Sequence, residues 1–340
     1  MKKLLNTLYI STQGAYLSKE GECVVASVDR EEKLRLPIHN LSGIVCFGNV
    51  MLSPFLMGFC AEKDVGVSFL SENGKFLARI KGPVSGNVLL RKAQYRFSDD
   101  EEKSLEIARN ILTGKFSNCR IVLNRFIRDY GDDDEINKVS GRLNNQISLL
   151  NSAKTLDELR GLEGDSAKLY FSVFNKLIRV QKDGFVFEGR NKRPPMDNVN
   201  ALLSFVYTIL AHDVESALEA VGLDPAVGFL HRDRPGRASL ALDIMEELRS
   251  FFADRVVLSL INLQRIDAKG FRKTESGAVI MNDETRKTVL LAYQERKKDE
   301  LQHPFIQEKV NIGLIPYVQA LLMARFIRGD LDSYPPFIWR

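Results

Sequence analysis

Apolar residues alternate with polar ones through the first quarter of the chain and then change to helical spacing. Residues 7–17 and 22–28 are β-rich runs around Ser18-Lys19-Glu20-Gly21, a turn with a glycine available for positive φ. Residues 34–37 and 43–47 continue the pattern. Ser53-Pro54 predicts a capping serine with proline at the first helical position, opening a short helix to about Ala61. Residues 65–70 and 75–81 flank Ser71-Glu72-Asn73-Gly74, the strongest hairpin signal in the chain. The β-rich texture ends near Gly82-Pro83, and helical periodicity follows Gly86. Asp99-Asp100-Glu101-Glu102 places acids at a helix start, where the macrodipole favours them. Residues 131–135 read as a polar connection, and residues 266–283, with Gly270 and Gly277, as a mobile loop between helical regions. The expectation is an α+β chain. Residues 1–86 form a small N-terminal β-rich domain with one helix near 54–62, and residues 87–340 a large all-helical C-terminal domain.

A length of 340 residues suits two domains, and 44% hydrophobic with 27% charged residues is the balance of an ordinary soluble protein. A net charge of +4 does not by itself indicate nucleic acid, so distribution matters more. Lys75, Arg79, Lys81, Arg91, Lys92 and Arg96 fall in one stretch without an acid, either a solvated basic face or a nucleic-acid surface. Cys23, Cys46, Cys60 and Cys119 form no C-x-x-C pair, which argues against a zinc site or disulfide framework and fits a reducing cytosol. Asn6 and Thr7 interrupt the apolar start, so no signal peptide is expected, and the apolar stretches around 201–211 and 256–263 are too short to span a bilayer. The chain reads as cytoplasmic.

Three separated segments carry candidate chemistry. Thr155 and Glu158 form a capping box that starts a helical turn. Beyond it Glu163 shares a stripe with Ala167, Tyr170, Phe171 and Phe174, which turns its carboxylate inward. It either answers a helix N-terminus or needs a cation, because an unpaired buried charge is costly. His231 ends the apolar run 226–230 amid Arg232, Arg234 and Arg237, a positive neighbourhood that disfavours its protonation. A satisfied structural histidine is the competing role. Ser239 can cap the next helix, on which Asp243 and Glu246 lie three residues apart on one face, while Glu247, one step round, is expected to face solvent. One imidazole with carboxylates and no thiol is the donor set for a hard divalent metal such as Mn²⁺ or Mg²⁺. With Arg249 added, the arginines suit a metal site acting on phosphate.

These segments, with residues 8–17 (Leu-Tyr-Ile-Ser-Thr-Gln-Gly-Ala-Tyr-Leu), the run from Arg193-Pro194-Pro195-Met196 through Asn200, Arg325-Phe326-Ile327-Arg328-Gly329 and Tyr334-Pro335-Pro336-Phe337, resemble the CRISPR adaptation integrase family over nearly the whole chain. The resemblance implies a metal triad of Glu163, His231 and Glu246, with Asp243 a supporting or second-metal acid. It also implies DNA contacts from Arg234, Arg237 and Asn200, although Asn200 is equally credible as a helix-packing amide. The implied reaction is attack of the 3′-hydroxyl of a short duplex on a phosphodiester of a CRISPR array, with Mn²⁺ or Mg²⁺ as cofactor. The implied assembly is a homodimer, joined through the β-rich domain, that binds a small second CRISPR-associated subunit. A general metal-dependent nuclease and a catalytically silent DNA-binding scaffold are the alternatives.

Overall fold

A computed structural model describes residues 6–63, 65–72, 76–80, 82 and 88–339, leaving aside the side chains of Asn6 and Ser42. The β-rich start comprises β1 (Asn6–Ile10), β2 (Tyr16–Glu20), β3 (Cys23–Val28), β4 (Glu31–Pro37), β5 (Leu41–Phe47), β6 (Met51–Leu52), α1 (Pro54–Glu62), β7 (Gly66–Leu70) and β8 (Phe76–Ile80). These strands make two four-stranded sheets, in the orders β1-β5-β7-β8 and β4-β3-β2-β6. The run expected over 7–17 divides in two at a bend containing Gly14 (φ +75°), and the next reversal is centred on Gly21 (φ +57°) and Glu22, two residues later than the turn expected over 18–21. Ser53 caps α1 as expected, accepting from the Leu56 N–H at 3.2 Å, with Pro54 in the first turn. β7 and β8 pair antiparallel, whereas Asn73-Gly74 and the expected boundary at Gly86 lie outside the described residues.

The remainder is largely helical: α2 (Val88–Asp99), α3 (Glu101–Tyr130), α4 (Asp134–Leu150), α5 (Leu156–Ser172), α6 (Asn198–Val221), α7 (Ser239–Leu248) and α8 (Arg255–Asn262). After β9 (Phe271–Lys273) and β10 (Val279–Met281) come α9 (Asp283–Lys297), β11 (Glu300–Gln302), β12 (Lys309–Asn311) and α10 (Ile315–Ile327). "All-helical" therefore needs correction by two short ribbons. The stretch expected as a loop at 266–283 folds as the β9–β10 pair, because Phe271, Val279 and Met281 supply apolar anchors. Asp100 caps α3, accepting from the Glu102 and Lys103 N–H groups at 2.9 and 3.0 Å.

Alternation along β5 joins the two regions. Ile44 and Cys46 enter the core between the sheets and α1, while Val45 and Phe47 enter the helical core. The Phe47 and Phe205 rings lie 5.7 Å apart, so the first sheet rests directly on α6. Arg79 of the basic run is not on a solvated face either, since its guanidinium pairs with Glu215 of α6 at 2.6 Å. As one continuous helix, α6 is long and apolar enough to cross a membrane by length and composition, beyond the shorter run expected from the sequence. It is the central core helix, with Leu202, Val206 and Leu210 fully buried. Because Phe47 fills this junction, Phe47→Ala is expected to cost about 3–5 kcal/mol, checked by urea denaturation.

Candidate functional site

Three helices bring charge to one cavity of about 480 Å³, whose lining includes Lys115, Glu163, Arg190, Tyr207, Glu246 and Arg249. Lys115 projects from α3, Glu163 from α5 and Glu246 from α7. The Lys115 ammonium bonds the Glu163 carboxylate and lies 2.8 Å from Glu246 Oε2, while Arg249 Nη2 reaches Glu246 Oε1 at 2.9 Å. Burial pushes the Glu246 carboxyl up, but Arg249, Lys115 and His231 outweigh it and hold the group well below the usual carboxylate range. Burial likewise opposes charge on Lys115, yet Glu246 and Glu163 keep its ammonium above the usual lysine range. Two carboxylates and two cations thus meet at one wall of the cavity.

His231 does not end a strand. The segment before α7 is irregular, and it wraps the Asp243 carboxylate, which is fully buried. Asp243 Oδ2 accepts from the Phe229 and Leu230 N–H groups at 2.7 and 3.0 Å, and Oδ1 from the His231 N–H at 3.0 Å. His231 Nδ1 lies 2.6 Å from the same Oδ1. A carboxylate accepts only, so the proton of a neutral ring belongs on Nδ1 and the lone pair on Nε2. Gly228 permits this wrap, because a Cβ there would fall 2.8 Å from Ser239 and 2.9 Å from Asp243 Oδ2. Arg160 of α5 secures the segment from the other side, donating to the Leu230 carbonyl at 2.8 Å. The helix that carries Glu163 thus also anchors the backbone beside His231.

Several sequence readings change. Among the described residues no three His, Cys, Asp or Glu side chains gather into a ready cation cage. Glu163 and Glu246 meet on Lys115, and His231 stands close enough to Glu246 to lower its carboxyl. Glu247, expected at the surface, is fully buried and accepts from Tyr334, Phe337 and Gln319. Ser239 is not a cap, since its hydroxyl donates to the Arg232 carbonyl at 3.3 Å. Asn200 is fully buried: its amide donates to Gly189 O and Asp197 Oδ2, and its Oδ1 accepts from Arg190 and the Asn191 N–H. Through Oδ1 it holds the Arg190 guanidinium, which lines the cavity. Arg234 is exposed and Arg237 half-buried, and burial together with Arg234, Arg193 and Arg160 lowers the Arg237 guanidinium. Arg232 is tied to Asp157 at 2.6 Å.

Lys115 and Asp254 were missed. Lys115 follows Ile107 and Ile111 at helical spacing, so a lysine on an apolar stripe was the available signal. Asp254 ends a π-helical turn (Arg249–Asp254) that continues α7 and accepts from the Tyr207 hydroxyl at 2.5 Å; burial pushes its carboxyl up to about 6. Such turns recur at functional sites. The donors here suit a hard divalent ion: two carboxylates sharing one cation, and an imidazole whose other nitrogen is held by a buried acid.

Comparison with known proteins agrees with the fold. The family model described as CRISPR associated protein Cas1 matches residues 8–295. A protein of Chlorobaculum tepidum named CRISPR-associated endonuclease Cas1 1 is 54% identical, covering 100% of both chains. A casposase bound to integration product has the same fold, with a TM-score of 0.86, 23% identity, and coverage of 99% of this chain and 95% of the other. A Cas6-RT-Cas1–Cas2 complex superposes with a TM-score of 0.82 and 20% identity, covering 100% of this chain and 36% of that one. On the family match and the full-length identity, the chain belongs to the Cas1 family of CRISPR-associated endonucleases.

Proposed function

We propose that the chain inserts short duplex DNA into a CRISPR array by metal-dependent strand transfer. The observation that carries this reading is the meeting of Glu163 and Glu246 on one cation, beside a histidine whose Nδ1 is fixed by a buried aspartate. Glu163, Glu246 and His231 Nε2 are the ligands, and Mn²⁺ or Mg²⁺ the ion. Bound there, the ion supplies Lewis acidity toward the scissile phosphodiester and its leaving oxygen. Asp243 keeps His231 in the ligand tautomer. Arg249 and Lys115 balance the charge around the phosphate, and Arg234 with Arg237 holds the DNA backbone. No side chain needs to act as a covalent nucleophile, because the DNA 3′-hydroxyl attacks. A Cas1–Cas2 complex among the similar structures supports a small Cas2-like subunit as partner. A homodimer joined through the β-rich region would cover Phe55 and Met51, which are 83% and 54% exposed there.

Asp243→Asn tests the support of His231. The amide turns an N–H toward groups that already donate, at about 1–3 kcal/mol in stability. Mn²⁺ affinity should fall about 10–100-fold. Thermal denaturation and calorimetric titration check the two effects. The reading as a whole is tested by Glu163→Ala on a labelled duplex and a repeat-containing target. Loss of joined products with DNA binding retained supports an integrase. Cleaved products without joined ones in the wild type would favour a nuclease, and unchanged function in the variant a scaffold.

A further inference from the structure

Residues 334–339 have no regular secondary structure, yet Tyr334 and Phe337 are fully buried and Trp339 is nearly so. Their partners lie on the two helices that carry Lys115 and Glu246. On α7, Glu247 accepts from the Tyr334 hydroxyl at 2.8 Å and the Phe337 N–H at 2.7 Å. On α3, Asn118 donates to the Phe337 carbonyl at 2.9 Å and to the Glu247 carbonyl at 2.7 Å, and accepts from the Trp339 N–H at 2.8 Å. Gly114, next to Lys115, lets the segment approach: a Cβ there would lie 3.1 Å from Pro336 Cβ, 3.2 Å from Glu247 Cγ and 3.3 Å from the Phe337 carbonyl oxygen. The Trp339 ring packs on Phe251 at 5.2 Å, with the Arg125 and Arg255 guanidinium groups over it at 4.9 and 4.5 Å.

The segment is therefore wedged between α3 and α7, bonded to residues one and three positions from the site's own charges. We infer that residues 334–339 are a brace setting the spacing of Lys115 and Glu246, so that the state of the site and the seating of the segment are coupled. The coupling to a bound ion rests on the metal reading above; the brace itself rests on the contacts alone. Packed helices joined by directed hydrogen bonds transmit a change at one end to the other, and linkage makes the effect reciprocal.

Trp339 is the only tryptophan in the chain, so its fluorescence reports the brace directly. In the ligand-free arm, Glu246→Gln is compared with the wild type. The expected result is a red-shifted emission and stronger acrylamide quenching, because the Lys115 pair that the brace holds is broken. In the second arm Mg²⁺ alone is titrated. Trp339 emission should change with the calorimetric midpoint, and Tyr334→Phe should weaken binding about tenfold while lowering the melting temperature, since a buried hydrogen bond is lost. Leu56→Ala, a destabilising change in the other core, should leave both Trp339 and Mg²⁺ affinity unmoved. Unchanged Trp339 emission and quenching in Glu246→Gln would overturn the inference whatever the titration gives. Absence of Mg²⁺ binding to the wild type would remove the metal reading and leave the ligand-free arm to decide the brace.

Discussion

Glu246→Gln is expected to lower strand transfer at least about 10²-fold and to destabilise the protein at the same time. Both effects come from one carboxylate. It is 2% exposed and sits between Lys115 and Arg249, so the amide keeps the shape but takes the paired anion from Arg249 and leaves Lys115 with Glu163 alone. Breaking one partner of a buried ion pair costs about 3–5 kcal/mol. The pH dependence separates this charge effect from packing. The Glu246 carboxyl is held below its usual range, so its pairing contributes stability that is complete above about pH 4.3, the unfolded value. That contribution is lost as pH falls through the lower folded value. The wild type should therefore lose stability in acid more steeply than the glutamine variant, measured by urea denaturation across a pH series. Activity compared well below both melting temperatures isolates the chemical loss.

His231→Ala and Arg234→Ala should part company. The histidine lies against Asp243, its Nδ1 2.6 Å from Oδ1, and in the proposed function its Nε2 is an ion ligand and it makes no DNA contact. Its removal should abolish strand transfer and leave most DNA affinity. Arg234 is exposed on the same irregular segment and belongs to the cluster with Arg237, Arg193 and Arg160. Its loss should weaken binding and reduce the log–log salt slope by about one. Affinity over a salt series, beside integration with Mn²⁺, checks both. Equal loss of DNA affinity in the two variants would mean that His231 holds the fold or the DNA surface.

Much of the fold was legible because local rules agree with it. Ser53-Pro54 caps α1, Asp100 caps α3, and alternation along β5 serves a sheet with cores on both faces. Glu163 was recoverable from its place on an apolar stripe, and it does line the cavity. What failed depends on distant partners. Glu247 looked like a solvent-facing neighbour of Glu246, but Tyr334 and Phe337, some ninety residues away, supply its donors. For Asn200 the sequence left a DNA contact and a packing amide equally open, and its partners at Gly189 and Asn191 become visible only in the fold. The run before His231 has strand-like composition, yet the N–H groups of Phe229, Leu230 and His231 turn to Asp243 rather than to a sheet. Lys115 escaped notice because a lone lysine among buried residues carries meaning only once its two carboxylates are placed beside it.

The most direct measurement gives the full-length chain, with the small partner subunit, a short duplex labelled at its 5′ end and a target containing one CRISPR repeat. Reactions run with Mn²⁺ or chelator, and with a 3′-hydroxyl or a 3′-deoxy end. The expected result is a labelled joined product that requires both Mn²⁺ and the 3′-hydroxyl and that disappears in Glu163→Ala. Joined product formed in chelator, or only cleaved target with either end, would contradict metal-dependent strand transfer at this site.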